Sequence, residues 1–334
     1  MKASVAKKTI GTILVIIGIV LACVAVFFLI SNWEVRRGQE TIANPNSPEY
    51  RPGAICYNQK WYVPKSNVTA VLGIGVDKFL NETTNESYNN SQQSDVLMLL
   101  VFNSNDNSYS AVHINRDTMT EIQRLGVFGD PVDKFRGQLA LAHTQGTGGK
   151  DSCINTVKAV SELMGGAPIE HYVCFTMDAV PQITNLVGGV KLTLLDDFTM
   201  DYPDMIKGTE YTLKGEQALV YVRGRMELED SSNINRMKRQ RQYLSALKDC
   251  AGKCNADDAS FIEDAIDIIS KYMISDCTVN QLSDYGEKCL NWKDNGISEL
   301  KGESKKGEKY TEFYADEDAL MELVLSLMYE PYND

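Results

Sequence analysis

VTAVLGIGVDK at residues 68–78 is followed, beyond a polar loop, by SDVLMLLVF at 94–102 and, beyond a turn of Asn, Ser and Asp, by YSAVHINRDT at 109–118. The first two are short apolar runs bounded by polar residues, the pattern of strands buried in a core. The third alternates well enough for a strand and is joined to the second by a hairpin turn. Asp77 closes the first run, Asp95 opens the second, and the third runs into Arg116-Asp117-Thr118. Two loop-edge carboxylates thus flank two core strands, and the hairpin delivers an arginine to the end of a neighbouring strand.

Working outward, KDSCINTVKAVSELMGG at 150–166 places Ile154, Val157, Val160, Leu163 and Met164 at helical spacing. Asp151 or Ser152 offers a cap, and Gly165-Gly166 offers a stop. HYVCFTM at 171–177 reads as a short strand, DAVPQITNLVGG at 178–189 as a helix and KLTLL at 191–195 as another strand. This alternation over 68–250 indicates a layered α/β domain with a mixed sheet. The last third holds AIDIISKYMI at 265–274 and ADEDALMELVLSLMY at 315–329, both helical by pattern, so 251–334 is expected to be a helical extension packed on that domain.

At 334 residues and 43% hydrophobic, the chain can build one sizeable core or two small domains. Its formal net charge of -12 argues against a sequence-independent nucleic-acid binder, which needs a basic face to neutralise phosphates. Three histidines are too few for a His-rich zinc site, whereas hard cations bound by oxygen remain open. Ile10–Ile30 carries no charge over about the length a helix needs to cross a bilayer, which predicts one transmembrane helix. Lys2, Lys7 and Lys8 on its N-terminal side place the tail 1–9 in the cytoplasm by the positive-inside rule. A cleavable signal peptide is the alternative, but the run is longer than a usual h-region and no clean small-x-small site precedes the polar sequence. Residues 31–66 hold four of the nine prolines and no sustained apolar period, as an extracytoplasmic linker would. Cys23 lies in the span, leaving an odd seven outside; Cys250 with Cys254 and Cys277 with Cys289 are possible bridges, with buried or unpaired thiols as the alternative.

Residues 220–242, VYVRGRMELEDSSNINRMKRQRQ, form the most basic patch of an acidic chain. Read as a strand, the first part projects Tyr221, Arg223 and Arg225 from one face. Read as a helix, the second part puts Arg236, Arg239 and Gln240 on one face. Four arginines and an amide then converge, and guanidinium forks match phosphate oxygens, as a pyrophosphate or phosphodiester site requires. The competing reading is a set of surface arginines paired with Glu227, Glu229 and Asp230. Asp77 and Asp95 are suited to one magnesium ion, although aspartates at strand edges are more often caps or turn formers. Arg116 is available to neutralise charge on a transferring phosphate.

GVDK at 75, SDV at 94, NRDT at 115, GQLALAHTQG at 137 with SCINTVKAVSELMG, GGV at 188, LKGEQALVYVRGR from 213 and NRMKRQRQYL from 235 together resemble the LytR-CpsA-Psr family across 68–250. The resemblance implies a three-layer α/β/α sandwich with a mixed central sheet, preceded by one transmembrane helix, and a long apolar groove for a polyprenyl chain. It makes 67–250 the catalytic domain of an extracytoplasmic phosphotransferase. Such an enzyme moves a phosphate-linked glycan from a polyprenyl-pyrophosphate carrier to a peptidoglycan sugar hydroxyl. By motif position Asp77 and Asp95 are the implied magnesium ligands, Arg116 the phosphate contact at the reacting centre and Asp117 its oriented neighbour. Arg223, Arg225, Arg236, Arg239 and Gln240 are the implied pyrophosphate clamp, and helices such as 152–164 the implied groove wall. The chain departs from the family pattern at Phe79, where many members carry arginine, at Asn115 for proline, at Gln138 for lysine and at His143 for an aromatic residue. A polyprenyl-pyrophosphate hydrolase and a non-catalytic lipid-binding or regulatory envelope protein are the rival readings. The first would release glycan phosphate without an acceptor, and the second would need the arginines but not the aspartates.

Overall fold

The computed structural model describes residues 2–78, 92–126, 129–224 and 232–332, with side chains from residue 19 onward. They fall into two compact units, one of residues 1–65 with 329–334 and one of residues 66–328.

In the first unit a single helix, α1 (Lys2–Thr41), extends beyond both ends of the expected 10–30 span. Its segment Ile19–Thr41 is long and apolar enough to cross a membrane, and Ile19, Leu21, Phe27 and Leu29 are exposed along it. This fits a single-pass membrane protein. The expected linker is partly structured: after α1 come β1 (Ile55–Tyr57) and β2 (Lys60–Pro64), a hairpin whose two turn residues, Asn58 and Gln59, both have left-handed φ, at 48° and 63°. Such a turn matches the twist of the strands it joins. The C-terminal strand Tyr329–Pro331 pairs antiparallel with the other edge of β2.

The second unit is built on a six-stranded mixed sheet. In chain order its first strands are β3 (Val68–Val76), β4 (Ser94–Asn103) and β5 (Ser108–Ile114), which pair antiparallel in succession. A separate hairpin follows, β6 (Met119–Leu125) with β7 (Pro131–Gln138), leading into a 3-10 helix (Leu139–Gln145) and α2 (Lys150–Leu163). The chain re-enters the sheet as β8 (His171–Thr176), parallel to β3. Then come α3 (Ala179–Leu186), the pair β9 (Val190–Thr193) and β10 (Glu210–Leu213), α4 (Gly215–Arg223) and the long α5 (Asn233–Asp257). After α6 (Phe261–Ser270), β11 (Met273–Ser275) adds antiparallel to β8. After α7 (Val279–Asn291), β12 (Lys293–Glu299) adds parallel to β5. The hairpin β13 (Gly302–Lys306) and β14 (Thr311–Ala315) and helix α8 (Glu317–Met328) complete the unit. The expectation of an all-helical extension after 250 is therefore corrected. Both edge strands of the central sheet come from this region, giving the order β11-β8-β3-β4-β5-β12.

The two faces of the sheet differ in what they bury. On one face Leu72, Ile74, Leu97, Leu99 and Ile114 are almost wholly excluded from solvent. Each such side chain contributes about 1.5–3 kcal/mol by leaving water. On the opposite face the registers Gly73↔Met98 and Gly75↔Val96 set glycines where a side chain would otherwise stand. The helices α3, α5, α6 and α7 cover that second face, and a cavity of 760 Å³ lies beneath them. This is the α/β/α layering with a mixed central sheet that was expected.

Candidate active site

The pairing of β3 with β4 aligns Val76 with Ser94, so Asp77 and Asp95 leave the sheet at the same end. The pairing Leu97↔Ile114 brings the segment after β5 to that end as well. Asp95 is 6% exposed, and its Oδ1 accepts hydrogen bonds from Arg116 Nη1 and, at 3.1 Å, from Arg236 Nη1. Arg236 Nη2 donates to the Asp95 carbonyl at 3.2 Å and to Asn233 Oδ1 at 2.7 Å. Arg223 Nε lies 3.5 Å from Asp77 Oδ1. Burial, and after it the charge of Asp95, raise the pKa of the Asp77 carboxyl, while Arg223, Arg236 and Arg116 pull it down.

Arg116 and Asp117 sit on a tight turn held from several sides. The Asp117 N–H donates to Asn115 Oδ1 at 2.9 Å, and the Thr118 N–H donates to the Asn115 carbonyl at 3.0 Å. Asp117 Oδ1 accepts from Gln138 Nε2 at 3.1 Å and lies 3.5 Å from Arg116 Nε. From behind, the Ala140 N–H donates to the Arg116 carbonyl at 2.9 Å, and from β14 the Phe313 N–H donates to the Asp117 carbonyl at 2.9 Å.

Asn115, read from sequence only as a departure from proline, and Asn233, not singled out there, complete this frame. Asn115 Oδ1 also accepts from Asn233 Nδ2 at 2.7 Å, linking the Arg116 turn to the first turn of α5. Asn233 in turn fixes Arg236, one helical turn on. The available signal was Asn233 three residues before Arg236 behind the N-cap Ser232, whose side chain accepts from the Asn235 N–H at 3.2 Å.

The basic patch is arranged differently from the expectation. Gly215–Arg223 is a helix rather than a strand, so Tyr221 and Arg223 do not share a face. Tyr221 is fully buried, whereas the Arg223 side chain is about half exposed and turned to Asp77. Arg239 does not join the cluster: it is 0% exposed, donates to the carbonyls of Tyr221 (2.9 Å) and Gly224 and to Asp196 Oδ2 (2.5 Å), and lies over the ring of Phe198. With those partners it is a structural residue tying α4 to α5. Arg225 and Phe79, like Glu227, Glu229 and Asp230, lie outside the described residues. The cluster at the end of the sheet is therefore Arg116, Arg223 and Arg236 facing Asp77, Asp95 and Asp117.

Gln240 donates through Nε2 to the Val222 carbonyl at 3.1 Å and lines the cavity. The rest of the lining is mainly apolar, from Val96, Met98, Phe175, Val180, Ile183 and Leu247 among others. Helix α2 is not part of this wall. It contacts the 3-10 helix, β6 and β8, so Val157, Val160 and Leu163 are not groove residues. Cys250, Cys254, Cys277 and Cys289 are free thiols, which leaves neither possible bridge formed.

Comparison with known proteins gives the family of the chain. A model of the LytR_cpsA_psr family matches residues 41–326. A polyisoprenyl-teichoic acid–peptidoglycan teichoic acid transferase TagU of Bacillus cereus strain AH820 is 31% identical over 185 residues, covering 55% of this chain and 53% of that protein. The TagU of B. cereus strain ATCC 14579 is 30% identical over 235 residues, covering 70% and 68%. The chain thus spans about half the length of the one and two thirds of the other. The solved structure of TagT bound to LI-WTA superposes with a TM-score of 0.59 at 22% identity, over 78% of this chain and 90% of that one. At that identity the likeness is one of fold, and the family match over most of the chain decides: the chain belongs to the LytR-CpsA-Psr family.

Proposed function

We propose that this protein is a membrane-anchored phosphotransferase that moves a phosphate-linked glycan from a polyprenyl-pyrophosphate carrier to a sugar hydroxyl of peptidoglycan. Its α1 would cross the membrane with the lysine-bearing tail in the cytoplasm and the second unit outside. One observation carries this reading: the lining of an apolar cavity of 760 Å³ includes close sequence neighbours of the arginines and carboxylates of the cluster. Val96 in its lining directly follows Asp95, Gly75 lies two residues before Asp77, and Gln240 is one turn after Arg236. A lipid tail in the cavity would therefore set its head group at the cluster. The cavity lies in the usual size range for small-molecule sites.

The acceptor hydroxyl would attack the glycan-proximal phosphorus, and the bond from that phosphorus to the bridging oxygen would break, releasing polyprenyl phosphate. Such transfer asks the protein mainly for positioning and charge neutralisation. Arg116 and Arg236, both held on Asp95, are aimed to take phosphate oxygens. Arg223 is the most exposed of the three, and Asp117 holds the turn that presents Arg116. Asp77, whose carboxyl pKa is raised by burial and by the charge of Asp95, is as a carboxylate the group suited to receive the hydroxyl proton.

Charge and donor chemistry favour a divalent cation. Among the described residues of the cluster three arginines face three aspartates, and Asp77 and Asp95 are hard oxygen donors close enough for one to raise the other's pKa. Magnesium at this pair would supply neutralisation of phosphate charge.

The test incubates the full chain in detergent with a short polyprenyl-pyrophosphate glycan, magnesium and peptidoglycan fragments. Glycan phosphate should become covalently linked, and Arg116→Ala and Asp95→Ala should each lower the rate by about a hundredfold or more. Free glycan phosphate formed equally without acceptor would make the protein a hydrolase. Lipid binding with neither product would remove the enzymatic reading.

A further inference from the structure

The sheet face opposite the cavity carries a second cluster, made of three residues that the proposed transfer does not use. His143 of the 3-10 helix, Cys153 of α2 and Cys174 of β8 are 1%, 0% and 0% exposed. His143 Nε2 is 3.8 Å from Cys153 Sγ and 3.9 Å from Cys174 Sγ. The three donor atoms lie within 4.8 Å of one another.

The other ring nitrogen decides the tautomer. His143 Nδ1 is 2.9 Å from the carbonyl oxygen of Gln92, which can only accept, so Nδ1 carries the hydrogen. In the neutral ring Nε2 is then the nitrogen that turns its lone pair toward both sulfurs, the arrangement found when a histidine binds a metal through one nitrogen and anchors itself through the other. Gln92 is itself buried and held at a left-handed φ of 59°. It packs where Gly148 has no side chain, since a Cβ there would collide with the Gln92 side chain.

The spacing fits one ion. A zinc ion with Zn–N of about 2.1 Å and Zn–S of about 2.3 Å requires N···S edges of about 3.6 Å if tetrahedral and about 3.8 Å if trigonal. Both observed edges lie within a few tenths of an ångström of these values. Three protein donors leave the fourth position of a tetrahedral zinc for a small ligand such as water, and two thiolates with a neutral imidazole cancel the ion's charge, as a buried site demands. A cuprous ion would leave a buried negative charge, and magnesium or calcium would refuse thiolates.

We infer that His143, Cys153 and Cys174 form a buried zinc site with three protein ligands behind the candidate active site. Binding exchanges two thiol protons for one zinc ion, with the protons released to solvent. The ion would join the 3-10 helix to α2 and β8. In the same 3-10 helix the Leu139 and Ala140 N–H groups donate to the carbonyls of Thr118 and Arg116 at 2.8 and 2.9 Å. The zinc would therefore brace the backbone that carries Arg116.

The test is the metal content of the full chain, purified in detergent and dialysed, measured by mass spectrometry of the elements. About one zinc per chain is expected, falling at least about tenfold in Cys153→Ser and in Cys174→Ser. Stripping with a chelator should lower the unfolding temperature, and zinc chloride but not magnesium chloride should restore it. Should the variants fail to fold, cobalt(II) added to the stripped wild type should give a thiolate-to-cobalt charge-transfer band. The inference is overturned by a wild type that neither retains nor responds to zinc, by a Cys153–Cys174 disulfide in the purified chain, by copper in place of zinc, or by zinc that persists in both variants. None of these readings depends on transferase activity.

Discussion

Gly73→Val is the sharpest probe of where a lipid tail would sit. Gly73 is on the cavity face of β3, and a Cβ built there meets Met98 O at 3.4 Å and Met98 Cβ at 3.8 Å, ordinary contact distances. At Gly75 the same atom would stand 3.0 Å from Val96 Cβ, so a substitution there would disturb the sheet as well as the cavity. Valine at 73 is at home in a strand and should leave stability unchanged or raise it by up to about 1 kcal/mol. Its three added carbons take the place of about three tail carbons. At about 0.8 kcal/mol for each displaced methylene this costs about 2.4 kcal/mol of binding, a rise in Kd of about 60-fold. The assay is titration of the detergent-solubilised chain with polyprenyl phosphate, alongside thermal unfolding of the same samples. A Gly73→Val protein with an unaltered melting temperature and a wild-type Kd would refute the placement of the tail in this cavity.

Arg239→Met should destabilise by about 3–5 kcal/mol in denaturant unfolding, because Asp196 would keep a buried charge without its partner; a wild-type midpoint would contradict the structural role given to Arg239. His113, 1% exposed, has its pKa lowered to about 3, first by burial and then by Arg241 and Arg236, so the folded state stays neutral while the unfolded chain takes up a proton below about 6.5. Its contribution to stability is present above that pH and is lost as pH falls toward 3, with a slope of up to about 1.4 kcal/mol per pH unit. His113→Gln should flatten the acid limb of a stability profile taken by urea titration. Gln138→Ala, which removes the hydrogen bond to Asp117, should lower kcat of transfer by about 5-fold with little change in KM for the lipid, and an unchanged kcat would show that this bond does not position the turn.

The residues at the strand ends were legible because their signal is local. The apolar runs of β3, β4 and β5 define their own limits, and Asp77, Asp95 and Arg116 are the first polar residues beyond or at those limits. Residues 215–223 misled because VYV is β-branched and aromatic, and over so short a stretch that outweighs periodicity. The helical evidence lay just upstream: Ala218, Tyr221 and Val222 recur at a spacing of three and four, and Gln217 at the third helical position accepts from the Lys214 N–H at 3.1 Å. Arg239 shares a helix face with Arg236, yet burial of Asp196 beyond β9 draws it inward, a long-range pairing that spacing along one helix does not report. Strand β12 has no alternation to detect, since a sheet edge open to water imposes none on its side chains. Cys153 and Cys174 belong to different elements, so their approach to His143 became visible only once α2 was laid across the sheet.

The two edge strands also set an order of events for the chain as it is made. Lys293 pairs with Ser108 and Met273 with Phe175, so β5 and β8 have no outer neighbour until the last quarter of the chain is present. Closing so long a loop costs little more than closing one half its length, but contacts this distant in sequence form slowly. In the interval two strand edges, each a template for pairing with another chain, stand open. A product shortened before Lys293 would keep β3, β4 and β5 and the residues at their ends, but it would expose the open side of β5. The polar strand β12, which buries almost none of its side chains, thus acts as the selvage of the sheet: it adds little to the core and prevents the weave from being extended by a stranger.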